Sequence, residues 1–286
     1  MRKVRITALF LFIIILAASL TSCRSSYVCY LQDPEEIYIM EAGILRSQLE
    51  FTEGEDITLS YDFDNPEYPE LISKYGIDRI SGSGSEFKRA LRLMDNYSHR
   101  LNHQSNYDNH IEMNALSLLE YSLDKPSHGI NCRNKAQILN EMLLALGITA
   151  RKVWIIPLSP YDTDCHVVNE VWDTELGKWV MLDITNNEYW IDENGTPLSL
   201  LEIRSKGALN EFCTPVYATE SLSDPVALKE KHLGDFLYIM KNMVYLEYLD
   251  TYTVGENGNI YLLFPNNLET DYDKIISLAS VEKAPF

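Results

Sequence analysis

The run Cys132-Arg-Asn-Lys-Ala-Gln-Ile-Leu-Asn-Glu-Met-Leu-Leu-Ala-Leu-Gly-Ile148 decides the fold together with His166-Val-Val-Asn-Glu-Val-Trp172 and Lys178-Trp-Val-Met-Leu-Asp183. In the first, Ala136, Leu139, Met142, Leu143 and Leu146 share one face of an amphipathic helix of about four turns. Gly147 ends it as a C-cap, with apolar Ile148 just beyond. His166 to Asp173 and Lys178 to Ile184 read as two strands joined by the short loop Thr174-Glu-Leu-Gly177. That loop pairs Trp172 with Trp179, Glu170 with Met181 and Val168 with Asp183. Period two puts His166 on the same face, diagonal to Asp183. A slip of one residue would separate them.

Outward from this segment the chain alternates simple signals. Lys152 to Leu158 is a strand stopped near Pro157 and Pro160. Upstream, Glu86 to Leu101 carries Phe87, Leu91, Leu93 and Met94 near the helical period, and Ile111 to Leu123 is a second helix. Downstream, Asn194-Gly195 marks a turn, Leu198 to Arg204 a short helix and Pro225 to Met243 a longer one. Tyr245 to Tyr252 and Ile260 to Phe264 read as closing strands around Gly255-Glu-Asn-Gly258. Residues 24 to 85 are mixed and acidic, with Pro66 and Pro69 read as helix breakers and Ile57 to Tyr61 alternating like a strand. Ser81-Gly-Ser-Gly-Ser85 reads as a flexible joint. The expected division is a leader at 1–22, a β-rich acidic segment at 23–85, an α+β core at 86–210 and a C-terminal α/β extension at 211–286 packing on the core.

The first 22 residues read as an address. Arg2, Lys3 and Arg5 precede an almost unbroken apolar run, Ile6 to Leu20, which Leu20-Thr-Ser-Cys23 closes. This resembles the bacterial lipobox, in which the cysteine is lipidated, and so makes Cys23 a lipidation site. An uncleaved N-terminal membrane anchor is the alternative, and either reading exports the rest. Removing those three cations takes the formal charge from −18 to −21. Phosphates would be repelled, which argues against a nucleic-acid partner. Attachment to the membrane then falls to the lipid. Besides Cys23 there are Cys29, Cys132, Cys165 and Cys213, irregularly spaced and without Cys-x-x-Cys. No metal site or cofactor is expected, since the acidic stretch also lacks calcium-loop spacing. The spacing leaves disulfide pairing open.

A thiol acts as a nucleophile only as thiolate, so its pKa must fall from about 8.5. A helix N-terminus and a neighbouring imidazolium both lower it. Cys132 stands at the first turn of the decisive helix, where its own N–H can meet a developing oxyanion. Taken singly, a cysteine is more often a core residue, a strand histidine an ordinary side chain, and a strand-end aspartate a cap. Order and element make these three a candidate constellation.

Gly129-Ile-Asn-Cys132, Ala136, Leu144-Ala-Leu-Gly-Ile148, Ala150-Arg151 and the histidine hairpin to Asp183 resemble the bacterial transglutaminase-like superfamily. The likeness covers about Asn114 to Thr185 and weakens toward Glu86. It implies an α+β, papain-like core with the nucleophile at a helix N-terminus packed on an antiparallel sheet. It further implies Cys132 as nucleophile, His166 as general base and acid, and Asp183 as its orienter. Ile184 stands where relatives usually have proline. Cys165 directly precedes His166. The upstream tryptophan that often donates to the oxyanion has no counterpart, because Trp154, Trp172, Trp179 and Trp190 all follow Cys132. Asn96, His103 and Asn131 are the candidate substitutes.

The superfamily implies thiol-dependent acyl transfer on an amide, with members among peptidases, amidases and cross-linkers. Export and the missing calcium loop point to hydrolysis of a peptide, protein or envelope glycopeptide. A second reading is a catalytically silent module whose cleft binds a peptide or glycan at the cell envelope. A third makes the cysteines purely structural.

Overall fold

The computed structural model describes residues 34–286 except 160, 220 and 221. Cys23, Cys29 and the leader lie outside the described residues. Two compact units are distinguished, 1–40 and 41–286. Of the first, only the opening of helix α1 (Pro34–Arg46) is described. Among the described residues no helix is long and apolar enough to cross a membrane.

The second unit is α+β. Strand β1 (Ser60–Tyr61) is followed by helices α2 (Tyr68–Tyr75), α3 (Ile77–Ser81), α4 (Glu86–Ser98), α5 (Ala115–Asp124) and α6 (Cys132–Ala145). Then come β2 (Ala150–Ile156), β3 (His166–Asp173), β4 (Lys178–Leu182), β5 (Glu188–Ile191), α7 (Leu200–Leu209), β6 (Thr214–Tyr217) and α8 (Pro225–Asn242). The chain closes with β7 (Tyr245–Leu249), β8 (Thr251–Tyr252), β9 (Ile260–Leu263) and α9 (Leu278–Glu282). Five strands form one antiparallel sheet in the order β4-β3-β2-β7-β9.

The hairpin register matches its sequence expectation. Trp172 faces Trp179 and Glu170 faces Met181, and the two indoles meet edge to face at 5.5 Å between centroids. Two contacts fix the loop: Asp173 Oδ1 accepts from the Leu176 amide at 2.9 Å, and the Gly177 amide donates to the Asp173 carbonyl at 2.8 Å. Gly177 has φ +65°, which suits glycine there. Every residue of β3 is buried, so the sheet is covered on both sides. Asn169 donates to the Ala136 carbonyl of α6 at 3.0 Å, and its neighbour Glu170 accepts from the Leu200 amide that opens α7.

Helix α6 departs from the one-faced pattern. Asn134, Lys135, Gln137, Asn140 and Glu141 are buried together with the apolar positions. The helix is central, with β2 and β3 on one flank and α2, α4 and α5 on the others. Ile138, Leu139, Met142, Leu143 and Leu144 have no exposed surface, worth about 1.5–3 kcal/mol each on burial. Gln137 and Glu141 are satisfied by each other and by residues later in the chain. Gln137 Nε2 donates to Glu141 Oε1 at 2.6 Å and to the Gly255 carbonyl at 3.0 Å, and Lys152 Nζ donates to Gln137 Oε1 at 2.5 Å. The C-terminus is as expected: Gly147 has φ +69°, and the Ile148 amide reaches back to the Leu143 carbonyl at 2.9 Å.

Four expectations about organisation are corrected. Half of the described part of 23–85 is helical, with strand pairing only at Ser60–Tyr61 and isolated bridges at Phe51 and Glu55. Pro69 starts α2 rather than breaking it, since a first-turn proline lacks only an N–H that would have no acceptor. Ser81–Ser85 is a pinned corner, not a joint between domains. Arg92 Nε donates to the Ser81 carbonyl at 2.6 Å, and Ser85 caps α4 through the Lys88 amide. Finally, 211–286 does not merely pack on the core as an extension, because β7 and β9 complete the central sheet.

Candidate active site

Asn131 sets where α6 begins. Its side chain accepts from the Asn134 amide at 3.2 Å, and Asn134 Oδ1 accepts from the Asn131 amide at 3.1 Å, a reciprocal capping box. Cys132 is therefore the first helical residue, and its amide has no acceptor within the helix. The approach to it is equally constrained. The Ile130 amide donates to the Asn102 carbonyl and the Gln104 amide to the Ile130 carbonyl, each at 3.0 Å. A Cβ on Gly129 would lie 2.8 Å from the Gln104 Cβ, so glycine permits this close pairing. The same pairing brings His103 beside Ile130.

His166 opens β3 and Asp183 directly follows β4. His166 Nε2 lies 2.7 Å from Asp183 Oδ2, with both residues buried. Asp183 is itself pinned: Oδ1 accepts from the Thr185 amide at 2.8 Å and the Asn186 amide at 3.2 Å, while Oδ2 accepts from Asn186 Nδ2 at 3.1 Å. Burial disfavours the imidazolium, but Asp183, with added help from Cys132, outweighs it and holds His166 well above its ordinary 6.5. Cys132 acts on the same ring, and Asp183 occupies Nε2, so Nδ1 is the ring nitrogen left over. Burial also pushes Asp183 up, yet His166 and the loop amides bring it below the usual carboxylate range. Glu188, bridged to Asp183 through backbone, behaves oppositely. Burial first and the Asp183 charge second keep it protonated far above its ordinary range.

These residues meet in an open cleft of 680 Å³. Cys132, His166, His103 and Asn131 line it, whereas Asn96 does not. Asn96 is an exposed residue of α4 whose Oδ1 accepts from Arg100 Nη1. Asn131 offers little to a ligand, since its carbonyl oxygen serves the cap and its Nδ2 donates to Asn109 Oδ1 at 3.2 Å. His103 is the remaining sequence candidate. Burial, then the Lys135 and His166 charges, lower its pKa and keep it neutral, so it carries one ring N–H. Cys165 also lines the cleft, and its thiol is pushed up by burial and by Cys132. Cys132, Cys165 and Cys213 are all free thiols, and burial pushes Cys213 up to about 12.

Several neighbours were not legible as site residues. Asn186 clamps Asp183 from three residues away in a turn. Tyr238 of α8 meets the His166 ring edge to face at 5.4 Å and donates to Asp164 Oδ1 at 3.2 Å. Lys135, one turn after Cys132, is buried, and that burial pulls it down to about 8 against the opposing pull of Asp183 and Cys132. The only sequence signal for Lys135 is its i+3 spacing from the cysteine.

The family model described as the transglutaminase-like superfamily matches residues 76–184. No curated protein matches the chain. Among solved structures, a candidate cysteine protease from Cytophaga hutchinsonii is 18% identical, with 47% of this chain and 43% of that one covered and a TM-score of 0.35. A candidate protease from Parabacteroides distasonis is 14% identical, over 55% of this chain and 30% of that one, with a TM-score of 0.29. The chain thus spans less than half the length of either. The residues that match the transglutaminase-like superfamily model run from Gly76 through Ile184 and contain both the cysteine helix and the histidine hairpin.

Proposed function

We propose that the chain is an exported thiol-dependent enzyme that hydrolyses peptide or amide bonds through Cys132, His166 and Asp183. The observation that carries this reading is the continuous line from Asp183 through the His166 ring to Cys132 at the floor of an open cleft. The thiolate attacks the amide carbonyl carbon, and its electron pair forms the C–S bond as the carbonyl π pair moves onto oxygen. The first-turn amide of Cys132 and the His103 N–H are the donors for that oxyanion. Collapse breaks the C–N bond, and the His166 imidazolium gives its proton to the departing amine. Water then loses a proton to His166, attacks the thioester and frees the acid and the thiol. Asp183 holds the imidazole in the orientation both half-reactions need.

Export rests on the leader and Cys23, and places the enzyme in the cell envelope, lipid-anchored to a bacterial membrane and facing away from the cytoplasm. Detergent phase partitioning tests it: the wild type should enter the detergent phase and Cys23→Ala the aqueous phase. The chemistry is tested by iodoacetamide labelling mapped to Cys132. The wild type should alkylate well below pH 8, and His166→Ala should slow this by about 10²-fold or more at pH 6.5. Slow alkylation that rises only around pH 8 to 9 in wild type would instead favour the silent peptide- or glycan-binding module.

A further inference from the structure

Past Trp154 the cleft of Cys132 meets a second cavity of 300 Å³. Arg133 and Trp154 line both, so they form the shared wall between them. The far walls are Glu247 and Leu249 of β7, Ile260 of β9 and Glu256. The register explains why they face one space. Trp154 is the direct cross-strand partner of Glu247, and Leu249 that of Ile260. At the small end of the range for ligand pockets, a cavity of this size has room for one long side chain.

The charges in it are unevenly committed. Glu256 accepts from Arg133 Nε at 3.0 and 2.8 Å and also pairs with the buried Lys152. Lys152 in turn covers one face of Trp154, its Nζ 4.6 Å from the ring centroid. Arg133 of the shared wall and Lys152 behind Trp154 are thus both spent on Glu256. Glu247 is different. Among the described residues none donates a hydrogen bond to its carboxylate and none pairs with it. Half-buried, it is raised by burial alone, and the titratable groups that feel it are Cys165, Tyr245 and Tyr272, none of them a cation. A partly desolvated carboxylate without a donor is costly unless something supplies the missing positive charge.

We propose that this cavity is a specificity pocket for a cationic side chain of a peptide, an ammonium or guanidinium, with Glu247 as counter-ion and Trp154 as the aromatic wall along its stem. The pocket names the substrate class of the hydrolytic site, and to that extent it rests on the function proposed above. The acidic surface of the chain also favours the approach of such a substrate.

Two probes differing only in charge test it: N-acetyl-lysyl and N-acetyl-norleucyl chloromethyl ketones, whose alkylation of Cys132 expels chloride. Each rate is normalised to the same protein's iodoacetamide rate. In wild type the lysyl probe should react about tenfold faster than the norleucyl probe, and the ratio should fall toward one in Glu247→Gln and below one in Glu247→Lys. An equal ratio in wild type and Glu247→Gln overturns the pocket. Calorimetry on Cys132→Ala needs no chemistry. Acetyl-Ala-Lys-Ala-amide should bind more tightly than its norleucine counterpart, and the double variant with Glu247→Gln should lose the difference. Lysine selectivity in a protein with an inert thiol would uphold the pocket and overturn the hydrolase. Rapid, His166-dependent alkylation without lysine selectivity would do the reverse.

Discussion

Strand β3 carries two buried charge pairs four residues apart, and only one of them opens onto the cleft. Glu170 pairs with Arg151 directly across β2: Arg151 Nε and Nη2 reach Glu170 Oε2 at 2.9 and 2.6 Å, and Nη1 donates to the Val281 carbonyl at 2.8 Å. The guanidinium sits over Trp179 at 3.9 Å and Tyr248 at 4.9 Å, and Glu170 Oε1 takes the Leu200 amide at 3.0 Å. That pair is spent on the fold. His166 and Asp183 are as deeply buried, but the second ring nitrogen of His166 is not taken by Asp183, and His166 also feels Cys132, whose thiol lines open space. The same strand and the same kind of attraction thus serve two ends. What separates them is whether a donor or acceptor is left over for something outside the protein.

The sharpest way to break this contrast is to empty half of the Arg151–Glu170 pair. Glu170→Ala leaves the Arg151 guanidinium buried without its carboxylate and should cost about 3–5 kcal/mol in urea unfolding. Arg151→Met combined with Glu170→Leu removes both charges and should recover most of that loss. A single variant costing under about 1 kcal/mol would mean the pair is already compensated by water or by its aromatic neighbours. Iodoacetamide labelling of Cys132 at 4 °C should stay within about twofold of wild type in the double variant, because the thiol depends on the other pair.

Asp183→Asn probes that other pair, with the next largest effect. The introduced amide nitrogen would donate to Nε2, leaving the ring proton on Nδ1, where it can no longer accept from the thiol. Alkylation of Cys132 at pH 6 to 7 should fall about 10–100-fold. Stability should change shape with pH as well. Asp183 is depressed, so its contribution is full above its ordinary 3.8 and is lost as pH falls through the folded value. His166 is raised, so its contribution is full below its ordinary 6.5 and is lost as pH rises through the folded value. The wild type therefore gains most from this pair between pH 3.8 and 6.5, and the variant's melting curve should be flatter on both flanks. Identical pH profiles would show that the pair carries no such linkage.

The contrast also shows what a sequence can reveal. The hairpin was legible because Trp172 and Trp179 bracket a loop of fixed length, and that fixes which side chains oppose one another. The cysteine helix was legible because Asn131 caps it and Gly147 ends it. Polar residues within that helix read as a solvated face, since Gln137 and Glu141 owe their burial to Lys152 and Gly255, far along the chain. Tyr238 and Glu247 had no local signal at all, because long-range packing brings them to the cleft region. The segment before α4 was misread through Pro69, whose meaning changes with its position in a helix. Local chemistry placed the triad candidates, whereas their surroundings depend on contacts between distant parts of the chain.

Lys135 refines the comparison by standing between its two cases, a buried cation with neither a sealed partner nor an open ligand. Among the described residues no acceptor is hydrogen-bonded to its Nζ. Its folded pKa of about 8 lies below the ordinary 10.5, with burial as the leading cause. Between those two values the unfolded chain holds more protons, so stability should rise with pH across that interval, while below pH 8 the buried charge is a constant cost. Lys135→Met keeps the stem and removes the ammonium. It should stabilise the fold by about 1–2 kcal/mol at pH 7, and the gain should shrink to nothing near pH 10. A gain independent of pH would mean that Lys135 is solvated after all. The same variant should slow alkylation of Cys132 by only a few-fold, since the ammonium attracts the thiolate from the next turn of the helix without touching the imidazole that shares its proton.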